Sequence, residues 1–218
     1  KKKATGSYQK PRYRLKRTFV DYIVRGHFEK NRIETEISLK EPFTSFAQLD
    51  EKCHYLTKLY KGKTYLELKQ ILKIDSNIKD LAAKCILQMF DTDCKQLNQI
   101  SEFNKAGIIA KTITIKPTGG RTEDMKLFHI DFEEWADKHV NFTSSEIYNY
   151  FCEHSFLCPI FCERGDMSGR KKNEKEDEYK ARLKRESMKT TFEGFKRVSF
   201  DDEFIEKEVM RTWEDSRQ

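Results

Sequence analysis

One run of apolar residues constrains the fold of this 218-residue chain more than any other feature. The run is Phe156 to Cys162, with the sequence F-L-C-P-I-F-C, and both alternating sets of its side chains are apolar. Successive side chains of a strand point to opposite faces of a sheet, so such a strand is buried on both faces. The run therefore predicts a strand in the centre of a sheet, with other elements packed on each side.

The spacing of apolar residues elsewhere predicts the elements that accompany this strand. Helical spacing predicts an N-terminal helical section, with helices over 44–60, 65–72 and 78–90. β-Branched and apolar runs predict the other strands, at 107–115, 125–132 and 191–200. Further helices are expected over 132–139, 144–154 and 201–213. This order predicts an α/β fold, a small mixed sheet flanked by helices.

Local signals define several boundaries. Thr64, followed three residues later by Glu67, has the spacing of a capping box at the start of a helix. Pro117 to Gly120 is a turn signal after the first predicted strand. Residues 163–190 form a charged insertion with little apolar content, which predicts a mobile loop or a solvated helix outside the core.

Composition excludes several classes of protein. No run approaches the roughly 20 apolar residues that a membrane span needs, so we expect no membrane association. The sequence also has no recognisable secretory signal, so we expect reduced thiols in a cytoplasmic protein. The six cysteines are too scattered for a disulfide scaffold. Cys152, His154, Cys158 and Cys162 resemble a metal cluster in spacing. However, Cys158 and Cys162 are four residues apart on a predicted strand, about 13 Å, too far to share one zinc ion.

Positive charge is concentrated at the start of the chain. Residues 1–32 contain eleven Lys or Arg against two acidic residues, whereas the whole chain has a net charge of +6. Basic residues that lead into a helical pattern suit contacts with nucleic-acid phosphates, and the alternative is a solvated tail. The candidate phosphate contacts in this segment are Arg12, Arg14, Lys16 and Arg17, with Tyr13 as the candidate groove contact.

The strand from Gly107 to Thr112, with the sequence G-I-I-A-K-T, resembles the G-V-E-L-K-T strand of MutH and its restriction-enzyme relatives. In that family an upstream acid, the Glu and the Lys of this strand form a magnesium-dependent DNA hydrolase site. Here Lys111 occupies the Lys position, Ile109 occupies the Glu position, and Glu102 lies where the upstream acid is expected. An apolar side chain cannot bind Mg²⁺, so the resemblance implies a restriction-endonuclease-like fold without an active site or bound metal.

Two further stretches extend the resemblance over most of the chain. The segment from Pro11 to Phe28 is similar to the basic C-terminal arm of a MutH-type domain, and Asp201 to Asp215 is similar to the helix after the last core strand. This arrangement resembles the second half of GATC-specific type II restriction endonucleases with two tandem MutH-like domains. The implied divisions are 1–28 as the end of a preceding domain, 29–43 as a linker and 44–218 as the degenerate domain, with its helical section at 44–104 and its sheet core at 105–218.

Three functions follow as hypotheses. The first is a catalytically silent, allosteric DNA-binding domain that works beside the magnesium-dependent catalytic domain of the same parent chain. Its further phosphate contacts are Lys116 and Arg121, which flank the Gly119-Gly120 turn. The second is an active magnesium-dependent endonuclease in which Glu102, Asp124 or Asp131 converges with Lys111. The third is a protein-assembly module that does not bind DNA.

Overall fold

The structure is a computed structural model that describes residues 20, 23–24, 27–28, 36–75, 80–120, 122, 124, 127 and 130–217. Its helices in the first half are α1 (Phe46–Tyr60), α2 (Tyr65–Ile71), α3 (Leu81–Met89) and α4 (Ser101–Ala106). Those in the second half are α5 (Phe132–Ala136), α6 (Glu146–Glu153) and α7 (Glu176–Ser187). The strands are β1 (Ile108–Ala110), β2 (Ile113–Ile115), β3 (Ser155–Cys162) and β4 (Thr191–Val198). Short 3₁₀ turns lie at Leu97–Gln99 and Phe142–Ser144.

The last helix changes its hydrogen-bonding period twice. It consists of an α turn at Asp202–Phe204, a π-helical segment at Ile205–Val209 and an α segment at Met210–Asp215. The Asp201 side chain caps its start by accepting a hydrogen bond from the N–H of Phe204 at 2.8 Å. Within the described residues, no helix combines the length and the apolar character that a membrane span needs.

Strand β3 is central, as its two apolar faces predicted. It pairs in parallel with β1 and β2 along one edge and antiparallel with β4 along the other. The sheet is therefore small and mixed, and helices cover both of its faces. This architecture confirms the predicted α/β fold class.

The predicted strand 107–115 is divided into β1 and β2, although both keep one register against β3. The N–H of Lys111 donates to the Leu157 carbonyl oxygen at 2.9 Å. In a parallel ladder the next hydrogen bond would come from the N–H of residue 159 to the Lys111 carbonyl oxygen. Residue 159 is proline, which has no N–H, so the ladder is interrupted beside Lys111 and Thr112.

Two apolar clusters lie on opposite faces of the sheet because side chains alternate along β3. Leu157 and Phe161 face a cluster with helices α1 to α4. Phe156 and Cys158 face a second cluster with α6 and the last helix, where Trp213 is buried. The two clusters give the molecule three layers, helix, sheet and helix, as expected for an α/β domain.

The local signals agree with the structure at several helix starts. Thr64 and Glu67 form the predicted capping box, in which the Thr64 N–H donates to Glu67 Oε2 at 2.8 Å and the Glu67 N–H donates to Thr64 Oγ1 at 3.2 Å. Ser145 caps α6 by accepting a hydrogen bond from the N–H of Tyr148 at 3.3 Å. These caps satisfy backbone donors that the first turn of a helix leaves unpaired.

The predicted strand 125–132 is not present as expected in the described residues. Leu127, Ile130 and Asp131 are outside regular structure, and Phe132 begins helix α5; residues 125–126 and 128–129 lie outside the described part. Asp131 explains the change at Phe132, because its side chain accepts hydrogen bonds from the N–H groups of Glu133 and Glu134. Such a cap favours a helix over continued strand.

The charged insertion contains a helix, α7, whose inner side is anchored by Arg182. The Arg182 side chain is 10% exposed, and its Nε donates to Glu174 Oε1 at 2.8 Å. Its guanidinium also donates at 3.0–3.1 Å to three backbone carbonyl oxygens, those of Asp166, Ser168 and Gly169. We call this set of contacts the arginine clamp. It fixes the loop at 164–175 on α7, so the insertion is an anchored helix and not a mobile loop.

The arginine clamp predicts a pH dependence of stability. The hydrogen bond from Arg182, together with one from the Lys171 N–H, lowers the pKa of Glu174 from 4.5 to about 2. A lowered folded-state pKa stabilises the fold above the unfolded value and loses this effect as the pH falls through the folded value. We therefore expect Glu174→Gln to be less stable than the original chain above pH 4.5, and the difference to shrink towards zero near pH 2.

Urea unfolding of both proteins across this range measures the difference. Lys171→Ala is a suitable control because it keeps the carboxylate and the Lys171 backbone N–H that Glu174 accepts. A stability difference that stays constant from pH 4.5 to pH 2 would contradict the role given to Glu174.

Candidate functional site

Most of the predicted DNA-binding residues fall outside the part of the chain that the structure describes. Arg12, Tyr13, Arg14, Lys16, Arg17 and Arg121 lie outside the described residues. Lys116 is described and exposed at the end of β2. Of the predicted phosphate contacts, the structure therefore describes Lys116 and the turn that follows it.

Lys116 begins a tight hairpin. The Gly119 N–H donates to the Lys116 carbonyl oxygen at 2.9 Å, and the Lys116 N–H donates to the Gly120 carbonyl oxygen at 2.7 Å. Gly119 has φ +90°, which a glycine adopts without steric cost. A Cβ atom added at Gly119 or Gly120 would meet no heavy atom within 4 Å. The predicted turn is thus present, and its backbone is open to an approaching ligand.

A cleft of about 560 Å³ lies beside β1, at the same edge of the sheet. Its lining comes from the first half of α3, the 3₁₀ turn Leu97–Gln99 with the residues before it, α4 and β1. The charged residues of the lining are Asp80, Lys84, Lys95 and Lys111. We call this site the lysine cleft.

The lysine cleft has an excess of positive charge. Within the described part of the chain, no carboxylate forms an ion pair with Lys84 or Lys95. Lys84 is half-buried and Lys95 is exposed. Asp80 stands before α3 but makes no side-chain capping hydrogen bond. Two ammonium groups without a paired carboxylate favour an anionic ligand.

Ile109 and Lys111 both contribute to the cleft, but Ile109 also packs on the second apolar cluster. That cluster contains Phe156, which is opposite Ile109 in the β1–β3 register. Position 109 is therefore an apolar packing position, where the MutH resemblance expects a metal-binding carboxylate.

Glu102 is held away from this constellation. Its carboxylate is buried, and Glu102 Oε2 accepts a hydrogen bond from the N–H of Leu39. The distance between this oxygen and the nitrogen is 3.0 Å. Glu102 is not among the residues that line the lysine cleft. The upstream acid predicted by the resemblance thus fixes Leu39 to α4 and does not line the cleft with Lys111.

The other acids proposed for a nuclease occupy separate positions. Asp131 caps α5, and Asp124 follows the hairpin in the chain. Among the described residues, no three His, Cys, Asp or Glu side chains come together as a metal-binding group. The geometry of the described residues therefore gives the nuclease hypothesis no assembled set of ligands.

The cysteines are distributed over all three layers of the molecule. Cys158 and Cys162 are buried on β3, whereas Cys152 is exposed on α6. Burial raises the pKa of the Cys53 and Cys85 thiols to about 12. These two thiols are protonated at neutral pH, and a protonated thiol is a poor nucleophile.

Lys84 and Lys95 were missed by the sequence-based reasoning, which looked for cations in the N-terminal arm and near the turn. The two residues are separated from Lys111 in the chain and come from different elements. The helical spacing of apolar residues indicates only that Lys84 lies outside the buried face of α3. No local pattern in the sequence indicates that these residues share a cleft.

Comparison with known proteins adds no family assignment. No protein-family model matches the chain, and no curated protein matches it.

Proposed function

We propose that this chain is a catalytically silent DNA-binding domain with a restriction-endonuclease-like, MutH-like fold. In this proposal it regulates the magnesium-dependent catalytic domain of a GATC-specific type II restriction endonuclease in the cytoplasm. The strand resemblance at Gly107 to Thr112 motivates the family, and the mixed sheet covered by helices on both faces is compatible with it.

The observation that carries the proposal is the presence of several lysines beside β1 and β2, the two strands along one edge of the sheet. The lysine cleft lies beside β1, and Lys116 lies at the end of β2 in the same strand register. Lys111 and Lys116 are five residues apart, about 16 Å along a strand. A DNA strand carries one phosphate for about every 3.4 Å of helix axis, so this edge spans several phosphates.

Catalytic silence is supported by the packing of Ile109 and by the hydrogen bond that engages Glu102. A MutH-type hydrolase needs carboxylates beside Lys111 to hold Mg²⁺. Ile109 instead packs on the apolar cluster of the second face, and Glu102 accepts the N–H of Leu39. Both positions support a domain that has kept the cation at 111 without the metal ligands.

Fluorescence anisotropy with matched duplexes, with and without GATC, tests DNA binding. We expect the affinity to fall steeply between 50 and 200 mM salt, because bound lysines displace counterions from the phosphates. The triple variant Lys84→Ala, Lys95→Ala, Lys116→Ala should bind more weakly. Its plot of log affinity against log salt should be shallower by about 3 units, about 0.9 for each lost contact.

The matched control replaces three exposed lysines that do not line the cleft, Lys58, Lys180 and Lys207, with alanine. It loses the same net charge, so an equal loss of affinity in the control would place the binding surface elsewhere. Salt-independent binding, or no binding, would contradict the DNA-binding role. Cleavage of the duplex on addition of Mg²⁺ would contradict catalytic silence.

A further inference from the structure

We infer that the lysine cleft binds a single nucleotide unit, with its phosphate on Lys84 and Lys95 and its base amino group on Asn104 and Asp80. The inference rests on the proposed DNA-binding function, which it deepens by assigning a ligand to the cleft. The ligand class is a phosphate-bearing nucleotide whose base carries an exocyclic amine.

The size of the cleft indicates the part of a nucleic acid that fits. A volume of about 560 Å³ equals a cube with an edge of about 8 Å, and it lies within the range of about 300–1,000 Å³ typical of small-molecule sites. The major groove of a duplex alone is about 12 Å wide. A duplex can therefore lie across the mouth of this cleft, but only one nucleotide unit can enter it.

The lining combines cationic and aliphatic residues. Lys84 and Lys95 supply ammonium groups that suit a phosphate. Aliphatic residues of the lining suit the apolar face of a sugar or base, and they are Ala83, Leu97, Ile108 and Ala110. A simple phosphate ion would use the first set and gain nothing from the second. The combination favours a ligand that carries both an anion and an apolar ring.

Asn104 adds a hydrogen-bond acceptor to this lining. Its Nδ2 donates to Glu36 Oε1 at 2.9 Å and to the Asn98 carbonyl oxygen at 3.0 Å. An amide nitrogen has two hydrogens, and both are engaged here. The side-chain oxygen of Asn104, Oδ1, is therefore the group that Asn104 can offer to a ligand, and this oxygen accepts hydrogen bonds.

Asp80 is the second acceptor of the cleft. It is exposed at the start of α3, and its carboxylate makes no capping hydrogen bond. Acceptors in a site select ligands with donors. Adenine, cytosine and guanine each carry an exocyclic amine, whereas thymine does not. The cleft should therefore prefer nucleotides of the first three bases over thymidine monophosphate.

The aliphatic lining sets a further limit on the mode of binding. Among the described residues, none that lines the cleft is aromatic. Stacking on aromatic side chains is the usual route to sequence-tolerant binding of bases. Without it, base contacts in this cleft depend on the two acceptors, so discrimination among bases should exceed that of a stacking platform.

Calorimetric titration of the whole chain with four probes tests the inference. The probes are deoxyadenosine monophosphate, thymidine monophosphate, deoxyadenosine and inorganic phosphate. We expect the adenine nucleotide to bind most tightly, and the other three to bind at least tenfold more weakly. The double variant Lys84→Ala, Lys95→Ala should lose binding of the adenine nucleotide, whereas the control pair Lys58→Ala, Lys180→Ala should keep it.

Asn104→Ala tests the acceptor separately from the phosphate contacts. It should reduce the preference for the adenine over the thymine nucleotide while both still bind. Absence of adenine-nucleotide binding in the original chain would overturn the inference, as would unchanged binding in the double lysine variant. Equal binding of the adenine and thymine nucleotides by the original chain would overturn the role of the two acceptors.

Competition distinguishes a free nucleotide from one that belongs to DNA. If a single-stranded oligonucleotide displaces the adenine nucleotide, the cleft takes a nucleotide of a DNA strand. If it does not, a free nucleotide is the ligand, and the cleft is separate from the DNA surface. Duplex binding without nucleotide binding would reject this inference alone, and nucleotide binding without duplex binding would reject the proposed DNA-binding function alone.

Discussion

Replacing Phe161 by alanine is expected to lower the free energy of unfolding by about 3–5 kcal/mol, as for other fully buried phenylalanines. Phe161 is 0% exposed on the central strand. Its ring centroid lies 5.0 Å from that of Tyr65 and 5.3 Å from that of Phe192. The ring thus joins α2, β3 and β4, and neither strand can move inward to fill the space without breaking the β3–β4 ladder.

Phe132→Ala is the matched control. Phe132 is the same residue type but is 79% exposed at the start of α5. Its replacement should change the free energy of unfolding by no more than about 0.5 kcal/mol. Urea unfolding, monitored by circular dichroism, measures the change in the free energy of unfolding for both variants. A loss at Phe161 no larger than the loss at Phe132 would show that β3 is not the centre of the core.

Gly165→Ala should have the second largest effect, because Gly165 lies against the backbone of α7. A Cβ atom at this position would be 2.2 Å from the Glu186 carbonyl oxygen and 2.7 Å from its carbonyl carbon. Backbone cannot rotate away as a flexible side chain can, so the loop must move. Overpacking of this kind costs about 1–3 kcal/mol.

The displaced loop should also become accessible to protease. Arg170, Lys171 and Lys172 are exposed trypsin sites in the segment that the arginine clamp holds. We expect Gly165→Ala to accelerate cleavage at these sites. Gly169→Ala is the control within the same loop, since a Cβ atom there would meet no heavy atom within 4 Å. Equal cleavage rates in the two variants would contradict the close packing of Gly165 on α7.

Several elements were predictable because their signals are local. The two apolar sets of Phe156 to Cys162 required a central strand, and the Thr64–Glu67 spacing required a capped helix. The hairpin after Lys116 followed from proline and glycine, whose backbone preferences need no tertiary partner. Each of these predictions depends on residues that are close to each other in the sequence.

The differences between the predicted and the observed structure had tertiary or context-dependent causes. The strand 107–115 is divided because Pro159, on a different strand, lacks the donor that Lys111 would need. The insertion 163–190 is anchored because Arg182 reaches acceptors up to 16 residues away. A charged stretch and an anchored helix have the same composition, so the sequence does not distinguish them.

The candidate site was less accessible to sequence reasoning than the fold. Glu102 and Lys111 are nine residues apart in a pattern that resembles a nuclease, yet Glu102 pairs with the N–H of Leu39 and stays outside the cleft. No sequence motif contains Lys84 or Lys95, yet both residues line the cleft with Lys111. Strand alternation, hairpin chemistry and helix caps are properties of neighbouring residues, so the sequence by itself determined them. The meeting of cations from separate elements depends on how helices pack on the sheet, so only the tertiary structure decided it.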